Sequence, residues 1–346
     1  MHNSKAPTMR SLKYYLFFTL LLLILSSLII PPYYGVPYLK SPGPLFDDSI
    51  DMTYQQHIVE NVPSMVLLGD STLEESIDES YLTELLGQET FRIGQPGSAS
   101  AIWYLVLKNN IATSSVKPKH LVIFSRASML TTPEYRTTGK YEETIVNIAL
   151  PEDTLVIERA YLSQMNWLEK KLDRSLPLYG YRAWVRKSIE NLFKYRIPKQ
   201  IWGVRPKDVE DSLKAAFDNP EIVQLSDMIT MAETYTHAPE RLDFNAQLPK
   251  SFLPEIVRIC QDNDIQLTLV YTQTIYEDQD LKTAELLAAY RSNLFQYAAE
   301  NNIQVLDYLG DERVAESFFN DPVHMNGEGK HGFTEIFATD FAKFLP

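Results

Sequence analysis

Three short stretches of this chain carry residue types suited to acyl chemistry. The first is Gly69-Asp70-Ser71, directly after the apolar run Met65–Leu68. A serine at the carboxyl end of a buried strand faces the place where parallel α/β sheets bind their ligands. Gly69 permits a tight turn there, although Asp-Ser ahead of a helix also serves as a plain N-cap. The second stretch is Phe319-Asn320-Asp321-Pro322-Val323-His324-Met325-Asn326-Gly327-Glu328-Gly329. A serine hydroxyl is a poor nucleophile at neutral pH and needs a base to take its proton. Neutral imidazole suits that task, and a carboxylate on the other ring nitrogen fixes the tautomer and stabilises the imidazolium. Asp321 and His324, three apart in a loop, can bond to each other while His324 reaches Ser71. The bland alternative is a surface turn that caps the last helix. The third stretch, Gly94-Gln95-Pro96-Gly97-Ser98, precedes a helical run. Its glycines can free backbone N–H groups to face a developing oxyanion, or it is an ordinary strand-to-helix turn.

These residues need a scaffold that brings them together. Met65–Leu68, Phe91–Ile93, Leu121–Phe124, Leu267–Tyr271 and Val305–Leu306 read as five short buried strands. Continuous apolar strands separated by helical stretches are the pattern of a parallel sheet covered on both faces. Helices are expected over Ser98–Thr113, Phe252–Cys260, Leu281–Ala299 and Gly329–Phe344, from apolar residues recurring at helical spacing. Cys260 falls on the apolar stripe of its helix and reads as a core residue.

Between about Thr131 and Lys250 the alternation of strand and helix stops. Within Arg159–Lys207 a dozen basic residues, among them Lys170, Lys171, Arg174, Arg182, Arg186 and Lys187, face only Glu169, Asp173 and Glu190. Tyr161, Trp167, Tyr179, Tyr181, Trp184, Tyr195 and Trp202 are interleaved. This reads as a helical insertion suited to anionic headgroups, an acidic polymer or a membrane partner. A solvated face with aromatics packed on the main domain is the other reading.

From Tyr14 to Ile30 there is no charge. At about 1.5 Å per residue this run spans roughly 26 Å as a helix, near the ~30 Å hydrocarbon core of a bilayer. Lys5, Arg10 and Lys13 precede it, while Asp47, Asp48 and Asp51 follow after a single Lys40. The charge bias puts the N-terminus in the cytoplasm and the remainder outside. An uncleaved anchor is preferred to a signal peptide, because the apolar run is long and no small-x-small site follows Ile30. The expected plan is a cytoplasmic segment 1–13, an anchor 14–30 and a Pro- and Tyr-rich stalk and linker 31–61. One domain over 62–346 follows, with its insertion at about 131–250.

Composition narrows the function. The chain has 346 residues, 45% hydrophobic and 22% charged, which is ordinary for a globular protein. Its net charge of -13 argues against a nucleic-acid partner, since binding phosphates needs a basic face. The one cysteine rules out an intrachain disulfide. His2, His57, His120 and His237 lack metal-ligand spacing, so neither a metal nor a cofactor is called for. Gly327-Glu328-Gly329-Lys330 is not a phosphate loop, because the glycine spacing is wrong and no strand precedes it directly. His331 reads as a residue of a solvated helix face, or one lining the site.

Together, the Gly-Asp-Ser block, the Asp-Pro-Val-His-Met-Asn block and the glycine turn between them resemble the SGNH hydrolase superfamily, the GDSL esterases. The resemblance covers about Pro63–Leu130 and Phe252–Phe344 and leaves the insertion unmatched. It implies a flavodoxin-like three-layer αβα domain on a parallel five-stranded sheet. It also implies Ser71 as nucleophile, His324 as base, Asp321 as its orienter, and an oxyanion hole from the backbone N–H groups of Ser71 and Gly97. Asp70 and Gly94 would flank that site. Two positions depart from the family. Arg92 stands where an asparagine usually opens the second block, and Phe124-Ser125-Arg126-Ala127-Ser128 replaces the usual Gly-x-Asn-Asp. Losing an oxyanion donor typically costs a hundred- to a thousandfold in rate, roughly. Arg126 or Ser125 is then the candidate replacement donor. Anchor, insertion and missing asparagine are similar to membrane-bound relatives that work beside multi-spanning O-acyltransferases on cell-surface polysaccharides. The implied function is an esterase or O-acyltransferase on acylated extracytoplasmic glycans; the alternative is a non-catalytic accessory that docks such a membrane partner.

Overall fold

The computed structural model describes residues 9–192, 225–275 and 281–345. Two units emerge, one from 45–163 with 223–346 and the other from 1–44 with 164–222. The first holds a sheet of five parallel strands, β1 (Met65–Gly69), β2 (Thr90–Gly94), β3 (His120–Ser125), β4 (Gln266–Tyr271) and β5 (Gln304–Asp307). Their order across the sheet is β2-β1-β3-β4-β5, the flavodoxin-like arrangement, whose switch point lies between β1 and β3.

Strand side chains alternate between the two faces, and both faces are apolar here. Val66, Leu68, Leu121, Ile123, Leu267 and Leu269 enter one core with the helices Ser100–Val106, Leu253–Asp262 and Leu281–Glu300. Met65, Leu67, Val122, Phe124 and Val270 enter the other, with Leu73, Leu82, Phe333, Phe337 and Phe341. The sheet is therefore the middle of three layers. Cys260 is buried in the first core, and burial pushes its thiol up to about 12. The expected helix at Ser98–Thr113 starts two residues later and closes in a wide π turn over Leu107–Ile111.

Parts of the stretch read as insertion belong to this unit. Ile145, Ile148 and Tyr161 near its start, and Ala232, Leu242 and Phe244 near its end, are all in the first core. In the second unit, the helix Met9–Tyr34 is longer than the uncharged run. Pro31 and Pro32, which the sequence places at the start of the stalk, both lie inside it. Proline withholds a donor from the carbonyl four residues back, but its fixed φ near −65° is itself helical. The helix ends instead at Gly35, in the left-handed region at φ +65°. Its Lys13–Tyr34 segment, 22 residues with an 18-residue window of mean hydropathy 2.2, is long and apolar enough to cross a membrane.

The helix Gly327–Phe341 ties core to site. Phe333, Phe337 and Phe341 lie four apart on one stripe and are fully buried, with Phe337 5.3 Å from Phe124 between ring centroids. Phe337→Ala is expected to destabilise the fold by about 3–5 kcal/mol. Urea denaturation followed by circular dichroism would check this; an unchanged midpoint would mean that the helix is not held by this stripe.

Candidate active site

Ser71 is the first residue of the helix Ser71–Ser76, two residues beyond the end of β1, with Asp70 between. Asp70 caps that helix, its Oδ1 accepting from the Thr72 N–H at 2.9 Å and the Thr72 hydroxyl at 2.6 Å. The cap fixes the direction in which the serine side chain leaves the turn. Gly69 makes the turn possible by close approach, since a Cβ there would lie 2.8 Å from Leu73 Cβ and 3.2 Å from Phe124 Cβ.

The structure brings Ser71 and His324, 253 residues apart, to 2.8 Å between Oγ and Nε2. On the other side of the ring, Nδ1 lies 2.8 Å from Asp321 Oδ2 and 3.1 Å from Oδ1. With Nδ1–H donating to the carboxylate, Nε2 is left as an acceptor for the serine proton. Asp321 Oδ1 also accepts the backbone N–H groups of Val323 and His324, each at 2.9 Å. Partial burial would raise the Asp321 carboxyl, but these bonds and the imidazole hold it below its ordinary value. It therefore stays ionised at neutral pH.

The loop that presents His324 is well braced. Val323 and Met325 point inward and are buried, while His324 between them points out. Phe319 and Met325 form an antiparallel bridge, Asn320 N–H donates to His324 O at 2.9 Å, and Ile275 N–H donates to Pro322 O at 2.9 Å. Asn326 caps the following helix by accepting from Gly329 N–H at 2.9 Å. The turn expected as a cap and the presentation of His324 are thus one structure.

The glycine turn lies beside the serine turn. Gly94 is paired with Gly69 across β1 and β2. Gly69 O accepts from Gln95 N–H at 3.0 Å and from the Ser98 hydroxyl at 2.9 Å. Gly97 has φ +77°, and a Cβ there would fall 2.4 Å from the Tyr141 ring, so both conformation and space demand glycine. Gly94 sits against Glu74 of the serine helix, where its bare Cα permits close packing. Arg92 donates to the carbonyls of Glu74 and Ile77, at 2.8 and 2.5 Å, and so closes the other end of the same helix.

Arg126 is held beneath the serine turn and is only 4% exposed. Its Nη1 donates to Asp70 Oδ2 at 2.6 Å and its Nε to Glu233 Oε1 at 2.9 Å. Ser125, the other candidate donor, is buried and donates its hydroxyl to Val270 O at 3.4 Å. Burial would raise the Asp70 carboxyl, yet Arg126 and Thr72 hold it below its ordinary value. The two carboxylates outnumber the one guanidinium, so the trio offers no net positive charge to an oxyanion. What it can do is hold the capping residue of the serine helix. Glu233, in the helix Leu225–Thr236, and Tyr135, whose hydroxyl is buried with no hydrogen-bond partner among the described residues, were not singled out from sequence. Glu233 is 107 residues from Arg126, within a stretch that lacks a repeating pattern. His331 stacks on Tyr81 at 4.3 Å, on an exposed helix face. Among the described residues no group of three His, Cys, Asp or Glu is placed to hold a metal ion.

No family model matches the chain, and neither does any curated protein. Among solved structures it is similar to a candidate acylhydrolase from Bacteroides fragilis NCTC 9343, at 14% identity over 86% of this chain and 99% of that one, TM-score 0.40. It is also similar to a GDSL-like lipase from Bacteroides thetaiotaomicron VPI-5482, at 14% identity over 85% and 99%, TM-score 0.38. A third is an α/β-hydrolase enzyme from the metagenome of Lake Arreo, Spain, at 12% identity over 80% and 95%, TM-score 0.36.

Breaking the buried trio tests what Arg126 holds. Arg126→Met leaves two buried carboxylates facing each other and should destabilise by about 3–5 kcal/mol. The triple variant Asp70→Asn, Arg126→Met, Glu233→Gln removes all three charges and should recover most of that loss in chemical denaturation. A triple variant no more stable than Arg126→Met would contradict this electrostatic account.

Proposed function

We propose that the chain is a membrane-tethered serine esterase or O-acyltransferase acting on O-acyl esters of extracytoplasmic glycans. The observation that carries this is the line Ser71 Oγ, His324 Nε2, His324 Nδ1 and Asp321 Oδ2, with 2.8 Å at each of its two hydrogen bonds. Ser71 Oγ attacks the ester carbonyl carbon while His324 Nε2 takes the hydroxyl proton. The oxyanion that forms is received by the backbone N–H groups of Ser71 and Gly97, donors that need no reorganisation during the reaction. Collapse breaks the ester C–O bond, and His324 returns its proton to the departing alcohol. The acyl-serine is then attacked by a water or a sugar hydroxyl, again deprotonated by His324. Water releases the acid; the sugar hydroxyl carries the acyl group away as a new ester. Asp321 keeps the imidazole in the tautomer that both half-reactions require.

The tether and the glycan have different support. The apolar helix Lys13–Tyr34 and the charge bias around it support a tethered, extracytoplasmic domain. The glycan, and a multi-spanning O-acyltransferase as partner, rest on the resemblance to membrane-bound relatives. A second reading, a non-catalytic accessory that docks such a partner, is favoured by one observation. Arg126, where the family places its oxyanion asparagine, has two of its nitrogens engaged by buried carboxylates.

Turnover of a simple acyl ester separates the two. Ser71→Ala and His324→Ala should each lower it by about four to six orders of magnitude, and the double variant by hardly more, because such residues act as a unit. Asp321→Asn should lose less. A folded Ser71→Ala protein with undiminished turnover would leave the accessory reading standing. For the tether, protease added outside intact spheroplasts should digest the domain, and the N-terminal segment should remain on the mature chain. Full protection, or a mature chain beginning after residue 30, would contradict it.

A further inference from the structure

The exposed surface of the anchor helix is apolar almost all round. Leu16, Phe18 and Leu28 are more than half exposed, as is Tyr33 near its end. Only the last turns carry a buried side, formed by Ser26, Ile30 and Pro31. The short helix Pro177–Gly180 packs against the anchor helix and joins the helices Trp167–Ser175 and Arg182–Asn191.

Several bonds lock this group to the chain just beyond the anchor. Tyr34 donates its hydroxyl to Ser188 Oγ at 2.5 Å and meets the Trp184 ring at 5.8 Å. Tyr181 donates to Pro37 O. Lys40 Nζ lies 2.5 Å from Asp173 Oδ2, with both side chains buried. A buried ion pair holds only when its remaining hydrogen-bonding capacity is met. Here Lys40 also donates to Gly43 O at 2.5 Å, and Asp173 accepts from Gly43 N–H at 2.9 Å.

With Asp173 turned inward, the opposite face of its helix points out. It presents Trp167, 75% exposed, with Leu168, Lys171 and Arg174. The helix Arg182–Asn191 adds exposed Arg186 and Ile189. Among the described residues, Lys170, Lys171, Arg174 and Arg186 have no ion pair. Residues 164–192 hold six basic and three acidic side chains, a net of +3 in a chain of -13.

From this we infer that residues 164–192 form a juxtamembrane collar that binds the anionic headgroup surface of the bilayer crossed by the anchor helix. The inference rests on the tethered reading above. Position decides for lipid over a soluble partner. The group is fastened to Tyr34, Pro37 and Lys40, within ten residues of Ile30, where the uncharged run ends. At about 1.5 Å of rise per helical residue, Tyr34 stands only ~6 Å beyond Ile30, inside the headgroup layer. Indole rings beside apolar and basic side chains are what that layer accommodates, the ring at the boundary and the cations among lipid phosphates.

The full chain, reconstituted in phosphatidylcholine vesicles with brominated acyl chains, tests this. The tryptophan signal lost in Trp167→Phe isolates Trp167. That component should be quenched at least twofold when the vesicles contain 30% phosphatidylglycerol, roughly the anionic content of a charged leaflet. The quenching should fall in high salt and in the variant Lys170→Gln, Lys171→Gln, Arg174→Gln, Arg186→Gln. None of the four side chains is buried, and circular dichroism confirms folding. Trp167 left unquenched, or quenched equally without anionic lipid, overturns the collar, including where a protein partner covers this face instead. Alkaline carbonate extraction separates the two readings. A chain that resists extraction while Trp167 is unquenched sinks the collar alone, whereas an extracted chain sinks the tether and the collar with it.

Discussion

The Asp70 carboxylate, 1% exposed and one residue before Ser71, sets the terms for the candidate site. An ionised carboxylate stripped of water must be matched by bonds and an opposite charge. Thr72 supplies two hydrogen bonds to one oxygen, and Arg126 supplies the charge at the other. Because Asp70 follows β1 and Arg126 follows β3, the pair straddles the switch point of the sheet. The same carboxylate caps the helix that Ser71 opens. A single buried ion pair thus couples the sheet, the serine turn and, through Glu233, the helix Leu225–Thr236.

This arrangement explains how a departure from the pattern that the sequence resembles can coexist with the Ser71–His324–Asp321 geometry. An arginine at position 126 serves here as a counter-ion for the residue before the nucleophile, and its two carboxylate partners cancel its field. On the proposed mechanism, oxyanion stabilisation then falls to the backbone N–H groups of Ser71 and Gly97. The turn that offers Gly97 is tied to Gly69 O by Gln95 and Ser98, and the Trp103 indole N–H, 2.9 Å from Ser98 Oγ, braces it from the core. Rigid positioning of a small donor set is how such a site would work without a third donor.

Much of this was legible in the sequence, for physical reasons that differ by element. The five strands were found because a sheet buried on both faces leaves continuous apolar runs. Ser71, Asp321 and His324 were singled out because serine chemistry would need those residue types at a strand end and in one loop, and the structure brings the three side chains within hydrogen-bond distance. The role of Arg126 was not legible. Its partner Glu233 lies in a helix reached only after a long irregular stretch, and ion pairs between distant segments leave no local pattern. The helical geometry of Pro31 and Pro32 was missed because proline reads as a breaker, although its fixed φ suits a helix. Nor did composition reveal that, among the described residues of the expected insertion, 164–192 group with the N-terminal segment while the rest join the unit that holds the sheet.

The central claim is that Ser71 is a nucleophile activated by His324, and covalent trapping addresses it most directly. A fluorophosphonate probe favours a serine whose proton can be taken and beside which donors receive the probe's phosphoryl oxygen. Incubation of the native chain followed by peptide mass spectrometry should place the adduct on Ser71 alone, with none formed in His324→Ala. An unlabelled native chain, or an adduct on another serine, would contradict the account.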